Sequence, residues 1–297
     1  MHVVVNGARL WFDVEGAALV PDGPAMKERP TVVLLHGGPG SFDHSYLKPD
    51  FTRLSRDAQV VYLDLRGHGR SEWGDPAAWT FEACADDVPA FCDALGIANP
   101  IVYGHSLGGM VAMVYAARHR NHPAALVLDS TTARFDVERM VETFRRLGGD
   151  ELADTIARVY GGDSAQVTPE QWARCWALFG HWVPGPEEKA RIVVNVALNP
   201  PGLKLLTRFK VLDQLGRIHC PTLVCVGALD PATPVAAARE IVDALPGGAR
   251  LEVIEDAGHF AWRDNPERYW TVLSEFVTTA VTHGATRSEE RAASGHS

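Results

Sequence analysis

The stretch Ile101–Met110, IVYGHSLGGM, constrains this chain more than any other. Ile101-Val102-Tyr103 is a short β-branched and aromatic run, the signature of a buried strand. Gly104-His105-Ser106-Leu107-Gly108 fits G-x-S-x-G, and Met110–Arg118 reads as an apolar helix. Strand, tight glycine-flanked turn and helix together form the context in which a serine is lifted onto a nucleophile elbow. Such a turn holds Ser106 in strained backbone geometry, and a side chain at Gly104 or Gly108 would collide with the neighbouring strand or helix. Gly109, Ala112 and Ala116 keep the helix surface small where it crosses a sheet. A glycine-rich turn with an incidental serine has the same local pattern, so the rest of the chain must decide.

The order of elements around this turn predicts a mostly parallel sheet with helices on both faces. Residues 2–15 alternate like an antiparallel hairpin around Asn6-Gly7, and 18–29 is a Pro/Gly-containing loop. Thr31–Leu35 reads as a strand buried on both faces, ending in His36-Gly37-Gly38-Pro39-Gly40. A helix over Tyr46–Ser55 leads to a strand at Gln59–Leu65, followed by the turn that ends in Ser71. Thr80–Leu95 is helical with Thr80 as N-cap, and Pro89 should kink or split it. Ala124–Leu128 is the strand after the elbow helix. From 133 to 208 the strand rhythm stops, and helical periodicity carries Trp172, Trp176, Phe179 and Trp182. We read this stretch as a helical cap inserted over the carboxyl ends of the strands, where open α/β sheets bind ligands. Packing of the cap explains its tryptophans, and some of them are also candidates to wall an apolar pocket. Strands resume at Pro221–Gly227 and Arg250–Ile254, with helices at Val235–Leu245 and Pro266–Val281. The predicted organisation is a core of 1–132 and 209–283, a cap of 133–208 and a polar, disordered tail of 284–297.

A serine hydroxyl is a weak nucleophile unless a base lies within hydrogen-bond reach, and that base needs an acceptor to fix its tautomer. Asp230 and His259 each follow a predicted strand, in the order Ser106, Asp230, His259. Each alone would read as a turn or loop residue; together they make a Ser–His–Asp candidate set. Asp129 also follows a strand and is a rival acid, whereas His105 reads as a packing residue of the elbow. The backbone N–H groups of Gly38 and Leu107 are candidate donors to a developing oxyanion.

Composition narrows the alternatives. A net charge of −9 without a basic cluster argues against nucleic acid and anionic membranes as partners. The N-terminus lacks the pattern of a signal peptide, and no stretch is long and apolar enough to span a membrane. The five cysteines are scattered and odd in number, which predicts reduced thiols and a cytoplasmic setting. No metal-ligand motif or cofactor-binding motif is legible, so neither a metal nor a cofactor is expected.

The chain resembles the α/β-hydrolase fold serine hydrolases over nearly its whole length outside the cap. The resemblance rests on His36–Gly40 (HGGPG), Asp64–Ser71 (DLRGHGRS), Gly104–Gly109 (GHSLGG), the Asp230 loop (GALDPATP) and Gly258-His259. HGGPG and RGHGRS are similar to the prolyl aminopeptidase branch. That branch has a G-G-S-W-G elbow and a cap glutamate for the substrate's amino group. Here the elbow is GHSLG and the comparable cap stretch, Trp172–Gly180 (WARCWALFG), has no carboxylate; Glu187 and Glu188 are the nearest substitutes. The resemblance implies hydrolysis of a small ester or lactone with an apolar acyl group. The alternatives are an aminopeptidase or amidase, and a slow-turnover ligand receptor on the same scaffold.

Overall fold

Among the described residues ten strands form, in chain order β1 (His2–Val5), β2 (Ala8–Glu15), β3 (Leu19–Asp22), β4 (Ala25–Glu28), β5 (Thr31–Leu35), β6 (Gln59–Leu63), β7 (Ile101–His105), β8 (Ala125–Asp129), β9 (Thr222–Gly227) and β10 (Arg250–Ile254). The computed structural model describes residues 1–294. Eight strands make one sheet, ordered β1-β2-β6-β5-β7-β8-β9-β10. β1 pairs antiparallel with β2, and β2 with β6. Every other pairing in this sheet is parallel. The continuous apolar runs take the centre because helices cover both faces there. Alternate residues of one strand then enter opposite cores: Val33 and Leu35 of β5 on one side, Val32 and Leu34 on the other.

The helix Leu107–Arg118 is buried except at Arg118, which accounts for its apolar character on all sides. Between β8 and β9 lies a helical insertion with helices at Val137–Gly148, Asp150–Gly161, Pro169–Trp176, Pro186–Arg191 and Asn199–Thr207. Its two ends are clipped together at the base. Val211 N–H donates to Ala133 O at 2.8 Å and Phe135 N–H to Phe209 O at 3.1 Å.

Four local expectations need correction. Residues 18–29 are not a loop but the β3–β4 hairpin, turned at Gly23; its side chains are nearly all exposed and so carry no alternating apolar signal. The helix expected over Tyr46–Ser55 is three short pieces, His44–Tyr46, Lys48–Phe51 and Thr52–Arg56, with Pro49 at the start of the middle one. Pro89 sits inside one unbroken helix, Phe81–Leu95, capped as expected by Thr80. The last helix runs from Pro266 to Ser294, through 284–294 and past the end expected for it at Val281. That stretch has alternating charges and alanines and no breaker after Gly284. Residues 295–297 lie outside the described residues. All five cysteines are buried and none of them is in a disulfide. No helix among the described residues is long and apolar enough to cross a membrane.

Candidate active site

Parallel strands end on one edge of the sheet, and the sequence-selected residues follow those ends. Ser106 comes directly after β7, Asp230 after β9, His259 after β10 and Gly38 after β5. Ser106 has φ 54° and ψ −116°, outside the regions open to ordinary residues. Neighbouring groups hold it there. Its N–H donates to Asp129 O at 2.9 Å, and its carbonyl accepts from Thr131 Oγ1 at 2.7 Å and Gly109 N–H at 3.0 Å. The flanking glycines leave no room for a side chain: a Cβ on Gly108 would overlap the Leu35 carbonyl, and one on Gly104 the Gly108 carbonyl. The turn is therefore tight because helix and strand ends pass at backbone contact.

Asp230 is buried and surrounded by donors. Oδ1 accepts from the N–H groups of Ala232 and Thr233, both at 2.9 Å. Oδ2 accepts from Thr233 Oγ1 and from His259 Nδ1, both at 2.8 Å. Four donors leave this carboxylate no role but acceptor, so Nδ1 of His259 carries its proton and the lone pair falls on Nε2.

The elbow, the turn after β5 and the loop after β10 share one hydrogen-bond chain. Gly37 N–H donates to the Tyr46 hydroxyl at 2.8 Å, and that hydroxyl lies 2.7 Å from His105 Nδ1. His105 Nε2 lies 3.0 Å from the carbonyl of His259. Because Tyr46 receives the Gly37 proton, its own proton goes to His105 Nδ1, and His105 donates from Nε2. Burial, helped by the neighbouring His259, pushes His105 well below the usual histidine pKa, in keeping with this neutral form. Both ring nitrogens of His105 are thus spent on structure, as its reading as a packing residue requires. Its ring centroid lies 4.8 Å from that of His259. On the other flank, a Cβ on Gly38 would come 3.3 Å from the Leu107 side chain, so these two residues face each other across the turn. Leu107 opens its helix, where an N–H has no carbonyl one turn earlier.

The rival acid Asp129 is committed elsewhere. Oδ2 accepts from the Tyr103 hydroxyl at 2.5 Å and the Tyr269 hydroxyl at 2.8 Å. Oδ1 is buried without a partner. Burial drives this carboxyl up to about 7 despite the two tyrosines. The His259 ring is hydrogen-bonded to Asp230 instead.

The family model described as the alpha/beta hydrolase fold matches residues 30–266. The chain belongs to the α/β-hydrolase fold family. It is related to the prolyl aminopeptidase branch: it is 25% identical to a proline iminopeptidase of Heyndrickxia coagulans, across 84% of this chain and 90% of the relative. It is 27% identical to a pimeloyl-[acyl-carrier protein] methyl ester esterase of Chromobacterium violaceum, across 86% and 96%. The crystal structure of VinJ superposes with a TM-score of 0.78 at 27% identity, covering 94% of this chain and 98% of that one.

In this α/β-hydrolase the insertion meets the site through three of the four expected aromatic residues. Phe179 sets its ring edge-on to His259 at 5.5 Å and stacks on Trp176 at 5.1 Å. Trp182 lies 4.8 Å from Phe260, and Phe42 lies within about 6 Å of both Trp176 and Trp182. Trp172 is not part of this cluster: it is 37% exposed on the outer side of its helix. Glu188 is consumed. It accepts from Trp182 Nε1 and Gly185 N–H at 3.2 Å, and pairs with Arg263 at 3.2 Å, whose guanidinium also lies 4.2 Å over the Trp182 ring. Glu187 is exposed.

The HGGPG and RGHGRS motifs turn out to hold the insertion's return segment. Asn195 N–H donates to Gly40 O at 2.9 Å, and its side-chain amide to Gly67 O at 2.8 Å. Arg70 bridges Asp43 and the Arg191 carbonyl, both at 2.8 Å. One group among the described residues, Asp43, His44 and Asp64, brings possible metal-ligand atoms within 4.8 Å of one another. Its carboxylates are already occupied: Asp43 takes Arg70 and Val193 N–H, and Asp64 takes His44 and Arg70 N–H. A guanidinium inside the group supplies the positive charge an ion would bring, so these residues do not fit a metal. Tyr46, Asn195 and Glu188's partner Arg263 carry no motif in the sequence that would have singled them out.

Proposed function

We propose that this α/β-hydrolase is a serine hydrolase that cleaves a carboxylic ester or lactone with an apolar acyl group. The carrying observation is the buried Asp230 carboxylate, held by three local donors and turned by its fourth contact onto His259 Nδ1, at the sheet edge where β7 also ends in the strained Ser106. In this reading Ser106 Oγ attacks the acyl carbonyl while His259 Nε2 takes its proton. Gly38 N–H and Leu107 N–H receive the oxyanion, each donor typically contributing about 2.7–4 kcal/mol. The tetrahedral intermediate collapses to an acyl-enzyme as His259 returns the proton to the departing alcohol. Water, activated by the same imidazole, then releases the acid. No cofactor enters these steps.

The insertion, residues 133–208, serves in this proposal as a cap, with Trp176, Phe179 and Trp182 on the acyl side. Two features favour an uncharged substrate. The aromatic cluster beside His259 would strip water from an ammonium ion, a cost of several kcal/mol without a partner. Glu188, the cap carboxylate nearest to a suitable role, is already bonded to Arg263, Trp182 Nε1 and Gly185 N–H. The second reading, an aminopeptidase or amidase, is favoured by the relatives named proline iminopeptidase.

Proline p-nitroanilide, its N-acetylated form, p-nitrophenyl butyrate and a butyryl lactone, assayed side by side, separate the readings. The ester or lactone should lead in kcat/KM by more than about tenfold, a difference of ~1.4 kcal/mol. A free-amine anilide that is the best substrate and is silenced by N-acetylation would hand the assignment to the aminopeptidase reading. Negligible turnover on every member, with tight binding of one, would favour the ligand-receptor alternative.

A further inference from the structure

We propose that Asp264 is a positioning residue for His259, acting through the contact between the insertion and the loop after β10. This inference rests on the proposed roles of Ser106, His259 and Asp230. Asp264 closes the short helix Ala261–Asp264, and its side chain is fully buried. Oδ2 accepts from the N–H of Gly258, the residue before His259, at 2.8 Å. Oδ1 accepts from the N–H of His181, in the insertion, at 2.8 Å, with His181 Nδ1 at 3.2 Å. Alongside these bonds, His259 N–H donates to the Phe179 carbonyl at 2.6 Å. Residues 258–259 and 179–181 are therefore laid against each other and joined by a single carboxylate.

The packing admits nothing else between the two segments. A Cβ on Gly258 would stand 2.5 Å from the Phe179 carbonyl oxygen. Gly180 has φ 143°, and a Cβ there would stand 2.6 Å from Asp264 Oδ2. Gly180 thus gives way to the acid and Gly258 to the Phe179 carbonyl, and a buried carboxylate persists only where charge-assisted hydrogen bonds replace its water. The backbone N–H groups of Gly258 and His181 supply that replacement.

Two carboxylates then divide the placement of one imidazole. Asp230 fixes the ring through Nδ1; Asp264 fixes the backbone that carries it. The segment reached by Asp264 also carries Phe179, whose ring touches the edge of His259. The base is consequently registered to the cap rather than to its own loop alone. Releasing the carboxylate should let His259 drift from the leaving-group oxygen, and displacements near 1 Å cost up to about 10²-fold in rate.

The test is Asp264→Asn, which keeps the shape but sets an amide N–H₂ against one of the two backbone donors. Active-site titration to end point with a fluorophosphonate counts competent sites, so that misfolded protein is removed from the comparison. Per titrated site, kcat/KM on p-nitrophenyl butyrate should fall at least about tenfold, mostly in kcat, with KM within about threefold. The fall on ethyl butyrate should be several times larger, because an alkoxide departs only when His259 delivers its proton, whereas nitrophenolate does not need it. His181→Ala keeps the backbone donor and should lose less than about threefold. Equal losses on both esters, or a loss that vanishes after titration, would overturn the proposal. If Asp264→Asn does not accumulate as folded protein, Asp264→Ser, smaller and still able to accept one N–H, takes the same two-ester comparison. Ser106→Ala is the control for the underlying reading: full activity there would sink the proposed nucleophile. A dead Ser106→Ala beside a wild-type-like Asp264→Asn would sink only the role of Asp264.

Discussion

Ser106 gives the most direct test of the elbow's physics, because its backbone strain can be removed without altering the fold around it. Its φ of 54° with ψ of −116° lies where only glycine is comfortable. Strain of this kind costs on the order of 1–3 kcal/mol and persists only where the surroundings impose it. Asp129 O, Thr131 Oγ1 and Gly109 N–H impose it here. Ser106→Ala and Ser106→Gly both lose the hydroxyl, so their difference isolates the cost of carrying a Cβ in that conformation. Glycine gives back about 0.5–1 kcal/mol through its freer unfolded chain. The glycine variant should therefore be the more stable of the two by about 0.5–2 kcal/mol. For domains of 150–250 residues that corresponds to about 2–4 °C in Tm per kcal/mol. Urea unfolding of the two variants at matched m-values, with thermal melts as a second measure, reads this difference. Both variants should lack turnover. An alanine variant as stable as the glycine variant, or more so, would refute the claim that strain is stored at the elbow.

Other expectations follow from the neighbouring groups. Asp230→Asn should lower kcat by several orders of magnitude, as loss of the triad acid does elsewhere, about 10⁴-fold, whereas Asp129→Asn should leave most of the activity; the opposite ranking in steady-state kinetics would move the acid to the end of β8. Asp129 is raised from 3.8 to about 7, so the native state holds that proton more tightly than the unfolded chain; its contribution is full below about pH 4 and is lost as pH rises through about 7. Urea titrations from pH 4 to 8 should thus show a slope that Asp129→Asn flattens, by up to about 4 kcal/mol at ~1.4 kcal/mol per pKa unit. Gly108→Ala drives a methyl into the Leu35 carbonyl and should cost more than about 3 kcal/mol or prevent folding, visible as loss of soluble protein or a collapsed melt. Trp176→Ala should flatten the dependence of kcat/KM on acyl-chain length, about 0.8 kcal/mol per methylene in wild type, while sparing acetate esters; an unchanged chain-length profile would place the acyl group elsewhere.

How much could be read from residues alone depended on the range of the physics involved. The β5 and β7 runs, the elbow and the Thr80 cap were legible because burial on both faces, glycine crowding and N-capping act within a few residues. The pairing of Asp230 with His259 was legible in order, since both follow strands that a parallel sheet must end on one edge. The β3–β4 hairpin was not, because exposed strands leave no apolar rhythm. The four aromatic candidates show the limit more sharply. Trp172 and Trp176 lie one turn apart on the same helix, yet one is exposed and the other stacks between Phe42 and Phe179. Which one turned inward was decided by how the insertion settles on the core, not by anything local to the helix. The same holds for the Tyr46–His105 link, the Arg263–Glu188 pair and Asp264. Each joins segments about 60 to more than 80 residues apart, by a hydrogen bond or ion pair between single side chains that has no period and no motif. Backbone conformation and burial are written locally in this chain; the polar contacts that seat the insertion on the site exist only once the fold has brought those segments together.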